Sequence, residues 1–350
     1  MLKKMINPLV VSAIALLPLM SACSSDTSKT ESTSTKTAAK EAPAAQKSAP
    51  VEAVANDEFD YKLEPKQVSE NVWCFFGALD MPTQENGGNM SNNCYIKTKD
   101  QWVLWDTGAS YIYAKQAYAA MSKIADLPVK TVLLSHEHDD HWLGNNYYKE
   151  VHGANIVGPE SINKNYHDGD VTRMFRILAE NQIRGTKIIP VDEWHDGSYK
   201  FNIGGVDFEY MSVGNGHSVS DYFLYMPSEK AIFAGDLVMN GRITSNRDGS
   251  VMGQIEALET MNTREWTTMI PGHGFIIDEK ADDESIMYFT LMRDRVEEAM
   301  DNDIDSIGIV EAVPLEEFKD KKMYDLLHAL NVSRAYMEFD MGLPEHEVIH

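Results

Sequence analysis

His136-Glu137-His138-Asp139-Asp140-His141 constrains this chain more than any other stretch, because it sets three imidazoles beside acidic residues, all good ligands for a borderline divalent metal. The preceding Thr131-Val132-Leu133-Leu134-Ser135 is mostly β-branched or aliphatic and predicts a buried strand, whereas Trp142 to Tyr148 predicts the start of a helix. The ligands therefore fall at a strand-to-helix turn. Alternate side chains of an extended segment share a direction, so His136 and His138 face one ion. The chain then bends, and Asp140 and His141 face a second ion close by. Glu137 and Asp139 are expected to point away from both. A polar loop accounts for the charge of this stretch but not for the spacing of its ligand types.

Three further candidates each follow a strand-like run. Asn215-Gly216-His217-Ser218 follows the alternating segment from Val206 to Val213; Ala231-Ile232-Phe233-Ala234-Gly235-Asp236 ends an apolar strand in a carboxylate; and Met269-Ile270-Pro271-Gly272-His273 ends one in an imidazole. Small residues beside each ligand let the backbone come close to an ion. Singly these are ordinary strand-end turns, and only the first motif joins them into a set.

In order, spacing and flanks these motifs resemble the metallo-β-lactamase-fold superfamily of metallohydrolases over roughly residues 65 to 280. The resemblance implies an α/β fold, an αββα sandwich with the site at one edge of its sheets. It implies His136, His138 and His217 on a first metal, Asp140, His141 and His273 on a second, and Asp236 bridging both. Asp106, in Leu104-Trp105-Asp106-Thr107-Gly108, matches a family aspartate that supports the site by orienting ligands. True β-lactamases of this superfamily generally lack the bridging aspartate, so Asp236 counts against that role. The full ligand pattern is closer to thioesterase, lactonase and phosphodiesterase branches, and the flanks resemble periplasmic members associated with sulfur oxidation or quinoprotein systems.

Two divalent ions sharing one carboxylate hold a hydroxide between them, since a metal lowers the pKa of bound water from about 15.7 to about 7. They also polarise a carbonyl or phosphoryl oxygen. Asp140 is the candidate catalytic residue, placed to orient that nucleophile or carry its proton. The expected cofactor is two zinc ions, with iron or manganese as alternatives, and the expected substrate a small ester, thioester, lactone or phosphoester. A mononuclear iron persulfide dioxygenase, a β-lactam hydrolase and a zinc-holding lipoprotein without turnover are the competing readings.

The amino terminus carries an address. Lys3-Lys4 followed by the apolar run from Leu9 to Met20 has the make-up of a secretory signal and is too short to span a bilayer. Met20-Ser21-Ala22-Cys23 resembles the lipobox of bacterial lipoproteins, in which Cys23 would be acylated, and Ser24 after it favours the outer membrane. Residues 24–56, dominated by Ser, Thr, Ala, Lys and Glu, predict a disordered tether. The expected organisation is thus a lipoprotein signal over 1–23, a tether over 24–56, the catalytic fold over 57–283 and a helical extension over 284–350. The expected location is the periplasmic side of a bacterial envelope, on a lipid anchor. Formal charge is −23, and loss of Lys3 and Lys4 leaves the remainder more acidic still, a poor match for nucleic acid. Oligomeric state leaves no mark on the sequence. Cys74 and Cys94 stand in strand-like contexts and are either a disulfide of an oxidising compartment or two buried thiols.

Between the motifs a strand is expected at 154–157, a helix around 172–183 and a strand at 187–191. In the carboxy-terminal part Phe289, Met292, Val296 and Met300 predict one packing stripe, and Met323, Leu327, Leu330 and Met337 a second. The loop from Pro82 to Met90 either flaps over the site or serves a hairpin. The other histidines, His152, His167, His195, His328, His346 and His350, lack ligand-like context and are expected at the surface or in packing; of them His167 and His195 are the candidates to line a cleft.

Overall fold

Alternation within single strands sorts this chain into layers. In a strand over Asn93–Lys97, Cys94 and Ile96 face one way and Tyr95 the other; in the next, over Trp102–Trp105, Val103 and Trp105 oppose Trp102 and Leu104. A computed structural model describes residues 57–168 and 173–342, without the side chains of 165–168. Its first sheet runs in the order β1 (Lys66–Ser69), β2 (Val72–Phe75), β3 (Asn93–Lys97), β4 (Trp102–Trp105), β5 (Val129–Leu133), β6 (Asn155–Val157). The second holds β7 (Tyr199–Ile203), β8 (Val206–Gly214), β9 (Asp221–Met226), β10 (Ala231–Met239) and β11 (Thr268–His273) in spatial order β11-β10-β9-β8-β7. The β4–β5, β5–β6 and β10–β11 pairs are parallel and the others antiparallel.

Cys74, Cys94, Val103, Trp105 and Leu133 of the first sheet meet Phe208, Tyr210, Leu224, Phe233 and Ile270 of the second in one buried cluster. Helices cover both outer faces. On the first lie α1 (Tyr111–Met121), α2 (Asp139–Trp142), α3 (Asn145–His152), α4 (Ser161–Asp168), α5 (Arg173–Ile177) and α6 (Glu180–Ile183); on the second α7 (Val251–Asn262), α8 (Asp283–Asp301), α9 (Ile309–Ala312) and α10 (Tyr324–Met341). This is the expected αββα sandwich with carboxy-terminal helices. Ser110 and Ser250 cap α1 and α7, accepting from the N–H groups of Tyr113 and Gly253.

Local expectations fail in three places. Residues 187–191 form no strand: Pro190 lacks an N–H, and pairing with β6 begins only at Asp192 and Glu193, whose N–H groups both donate to Ile156 O. The helix expected over 172–183 breaks at Leu178-Ala179, where the Gln182 side chain accepts from Ala179 N and restarts the turn as α6. On α10, Leu330 and Met337 are exposed, and the buried face carries His328, Asn331 and Glu338 instead, polar groups bonded to the loops and helix beneath. Cys74 and Cys94, directly opposite in the β2–β3 register, are joined as a disulfide. No described helix is long and apolar enough to cross a membrane. Cys23, the signal segment, the tether, His346 and His350 lie outside the described residues, as does the side chain of His167.

Candidate metal centre

Hydrogen bonds on the far side of four of the imidazoles, those of His136, His138, His141 and His273, set which nitrogen faces inward. At the end of β4, Asp106 takes a left-handed φ of 55° and accepts from Ser135 N and Ser135 Oγ, each at 2.8 Å. Its Oδ2 also lies 2.8 Å from His141 Nδ1, which donates to it and leaves Nε2 inward. Ser135 Oγ, having donated to Asp106, accepts from His136 Nδ1 at 2.9 Å, with the same result. His273 Nδ1 donates to Met90 O at 2.6 Å. His138 is reversed: Nε2 faces Asp248 Oδ2 at 3.3 Å, and Nδ1 turns inward.

These inward atoms gather in two adjacent groups, one of His136, His138, His217 and Asp236 and one of Asp140, His141 and His273. Within the first, His138 Nδ1 lies 3.0 Å from His136 Nε2 and 2.9 Å from His217 Nε2. Asp236 serves both: Oδ2 is 3.2 Å from His217 Nε2, while Oδ1 is 3.1 Å from His141 Nε2 and 3.4 Å from His273 Nε2. Asp140 Oδ2 completes the second group at 3.4 Å from His273 Nε2. Its Oδ1 accepts from Arg173 at 2.7 Å, so that oxygen is shared with a guanidinium rather than open toward the metals.

The backbone is shaped to allow this. Asp236 does not end its strand as expected; β10 continues to Met239, and a bulge at Gly235, φ 54°, turns the carboxylate into the site. A Cβ on Gly235 would meet Ser135 Cβ at 2.6 Å, and one on Gly272 would meet Asp236 Oδ1 at 2.0 Å. The connection between β2 and β3 is a hairpin loop whose far end buttresses the ligands. Ser91 Oγ donates to Asp140 O, and Asn92 Nδ2 to the carbonyls of Pro271 and Gly274. Glu137 points away from the metal groups, accepting from Ser161 Oγ and Ser218 Oγ, and Asp139 pairs with Arg173.

Electrostatics test whether these residues suit a metal. Burial drives His136 and His273 below the ordinary histidine range, toward the neutral form with a lone pair to give. Burial opposes charge on His141 and His217 too, yet Asp236 pulls both upward. Buried His141 Nε2 and Asp236 Oδ1 have no hydrogen-bond partner. Divalent cations satisfy both demands at once, bonding neutral imidazoles and neutralising carboxylates, and the donor set fits zinc.

Sequence reasoning missed the cavity's other walls. Arg173, Arg242, Arg247, Met81, Met90, Met239 and Leu327 line it with the ligands, from several separate segments that share no local pattern. No motif in the sequence had pointed to these three arginines. His195 lies outside this cavity, half-buried against Tyr199 and bonded to Glu193. His328 is buried between Tyr288 and Val313 O, and His152 packs on Tyr118.

Comparison with known proteins agrees with this geometry. A family model described as the metallo-beta-lactamase superfamily matches residues 86–273. A beta-lactamase-like protein 2 homolog of Caenorhabditis elegans is 22% identical over 232 residues, 63% of this chain and 68% of that protein. Among solved structures, a metallo-beta-lactamase from Pontibacter korlensis aligns with a TM-score of 0.52 at 22% identity over 65% of this chain and 99% of its own. The metallo-beta-lactamase IND-7 gives 0.53 at 17%, over 66% and 100%. A double mutant of the sec-alkyl sulfatase PisA1 gives 0.60 at 15%, over 81% of this chain and 51% of that one. At such identities the structural likenesses speak to the fold, and the family match carries membership. With its ligand groups at the sheet edge and more than half its length matched, this chain belongs to the metallo-beta-lactamase superfamily of hydrolytic enzymes.

Proposed function

We infer that the chain is a dinuclear, zinc-dependent hydrolase of a small ester, thioester, lactone or phosphoester. The observation that carries this reading is Asp236, whose two oxygens address two separate ligand groups. A mononuclear centre leaves Asp140, His141 and His273 without a purpose. When bound there, divalent ions supply Lewis acidity, lowering the pKa of a coordinated water toward about 7 and polarising the scissile oxygen.

The chain's own residues do the rest. Asp106, Ser135, Asp248 and Met90 O hold the imidazoles in the required tautomers. Arg173 fixes the plane of Asp140 by donating to Oδ1, which leaves Oδ2 as the oxygen aimed at the second ligand group. Met81, Met90, Met239 and Leu327 exclude water from the cavity wall. The same reading puts the enzyme on the periplasmic side of a bacterial envelope, tethered through Cys23, and the Cys74–Cys94 disulfide supports an oxidising compartment.

A screen of carboxylic esters, thioesters, lactones and phosphodiesters with the zinc-loaded soluble domain tests the reading. Turnover of one class, abolished by chelation and restored by zinc, is expected. Full zinc occupancy with no turnover of any of them would leave a metal-holding protein instead.

A further inference from the structure

We propose that Arg242 is an anion-binding residue and that the substrate carries a carboxylate, phosphate or sulfate group beside the bond that is cut. The proposal rests on the hydrolase reading for its substrate and on geometry for its site.

Three arginines line the metal cavity, and they differ in how they are paired. Arg173 donates to Asp139 and Asp140, and Arg247 to Asp248. Arg242 is only 6% exposed, and no carboxylate among the described residues lies within 4.0 Å of its guanidinium. Among the described residues its Nη1 has no hydrogen-bond partner, and its Nε reaches only the neighbouring Ile243 O, at 3.5 Å. In a chain with 54 acidic residues, a buried cation without a carboxylate is an expensive arrangement. Burial lowers its affinity for its own proton, and the attraction of Asp236 and Asp140 offsets this only in part.

The backbone that carries this side chain is itself held in place. Ile243 N donates to Lys322 O, Lys322 N to Gly241 O, and Gly241 N to Glu284, so the turn after β10 is tied to the carboxy-terminal helices. A guanidinium rooted on such a turn can offer parallel donors to an oxyanion, the geometry in which arginine exceeds lysine. The cavity measures about 100 Å³, below the range of roughly 300–1,000 Å³ that encloses a whole drug-sized ligand. It therefore takes the reacting end of a molecule, charged group included, and leaves the remainder against Met81 and Leu327.

Calorimetric titration of phosphate, sulfate and acetate into the zinc-loaded protein tests this, alongside Arg242→Gln and Arg242→Lys variants whose zinc content has been measured. At least one anion is expected to bind the wild type. Its Kd should rise roughly tenfold or more in Arg242→Gln and recover in part in Arg242→Lys. The preferred anion identifies the group the substrate carries. Equal binding to Arg242→Gln at equal zinc content, or no anion binding to the wild type, overturns the proposal. Should Arg242→Gln fail to fold, Arg242→Lys alone should lose at least roughly threefold, and unchanged affinity overturns it. Anion binding without hydrolysis of any ester would sink the hydrolase reading and leave this site standing. Hydrolysis with no Arg242-dependent preference for an anionic ester over its neutral counterpart would do the reverse.

Discussion

Asp106 accepts a hydrogen bond of 2.8 Å from His141 Nδ1, and both side chains are fully buried. The carboxylate thus dictates the tautomer of a ligand that it does not accompany into the metal group. Asp106→Asn keeps the volume and removes the charge. Zinc affinity of the group with Asp140, His141 and His273 should fall by roughly 10- to 100-fold, with less effect on the group around His136. Competitive zinc titration against a chelating dye would show this as weakening of one of two binding steps. Two unchanged steps would refute the role given to Asp106.

The Cys74–Cys94 bridge closes a loop with a sequence separation of 20 residues, and that loop carries Met90, Ser91 and Asn92 to the metal ligands. By loop-closure entropy, replacing both cysteines with alanine should destabilise the fold by about 2–4 kcal/mol. Urea denaturation of the double variant beside the wild type measures this, and equal midpoints would contradict it.

Asp221 is fully buried and accepts from the N–H groups of Gly216 and Ser218, on either side of His217. Burial pushes its carboxyl up from 3.8 to about 6. A raised carboxyl disfavours folding above pH 6, where the native state holds a buried charge that the unfolded chain holds in water. As pH falls from 6 toward 3.8 the native state takes up the proton first, and the penalty is relieved. Two units correspond to about 3 kcal/mol. In chelator-treated protein, the stability of Asp221→Asn relative to wild type should be greatest at pH 7 and decline toward pH 4 by up to that amount. A gap independent of pH would contradict this assignment.

Glu338 of α10 reaches the first turn of α7, accepting from Val251 N at 2.7 Å, Met252 N at 3.2 Å and Ser250 Oγ at 2.7 Å. Glu338→Ala leaves the buried Val251 N–H and the less buried Met252 N–H without this acceptor at a helix start and should cost about 1–3 kcal/mol. Thermal unfolding of this variant and of Glu338→Gln, expected to lose less, measures it. A Glu338→Ala protein as stable as the wild type would show that α10 does not support α7.

The gathering of these side chains was legible because metal chemistry demands particular residue types at strand ends, and the structure brings His136, His138, His217 and Asp236 into one group that could hold a metal and Asp140, His141 and His273 into another. Only the bulge at Gly235 departed from that pattern, since β10 resumes after Asp236. What surrounds the ligands was not legible. Arg173 and Asp248 reach the site from segments outside the motifs and Arg242 from the turn just after β10, and one polar residue in a loop has no periodicity to betray its direction. Hydrophobic spacing on α10 misled for a related reason. Glu338, Asn331 and His328 are buried by the hydrogen bonds they make, which displaces Leu330 and Met337 to the surface.

Elemental analysis of the folded, tag-free soluble domain, purified without added metal and reconstituted with zinc, bears most directly on the dinuclear centre. Two ions per chain are expected in the wild type, about one in His273→Ala, and depletion of both in Asp236→Ala, because only Asp236 addresses both groups. A wild-type protein that saturates at one ion, or an Asp236→Ala variant that keeps two with full activity, would contradict the account.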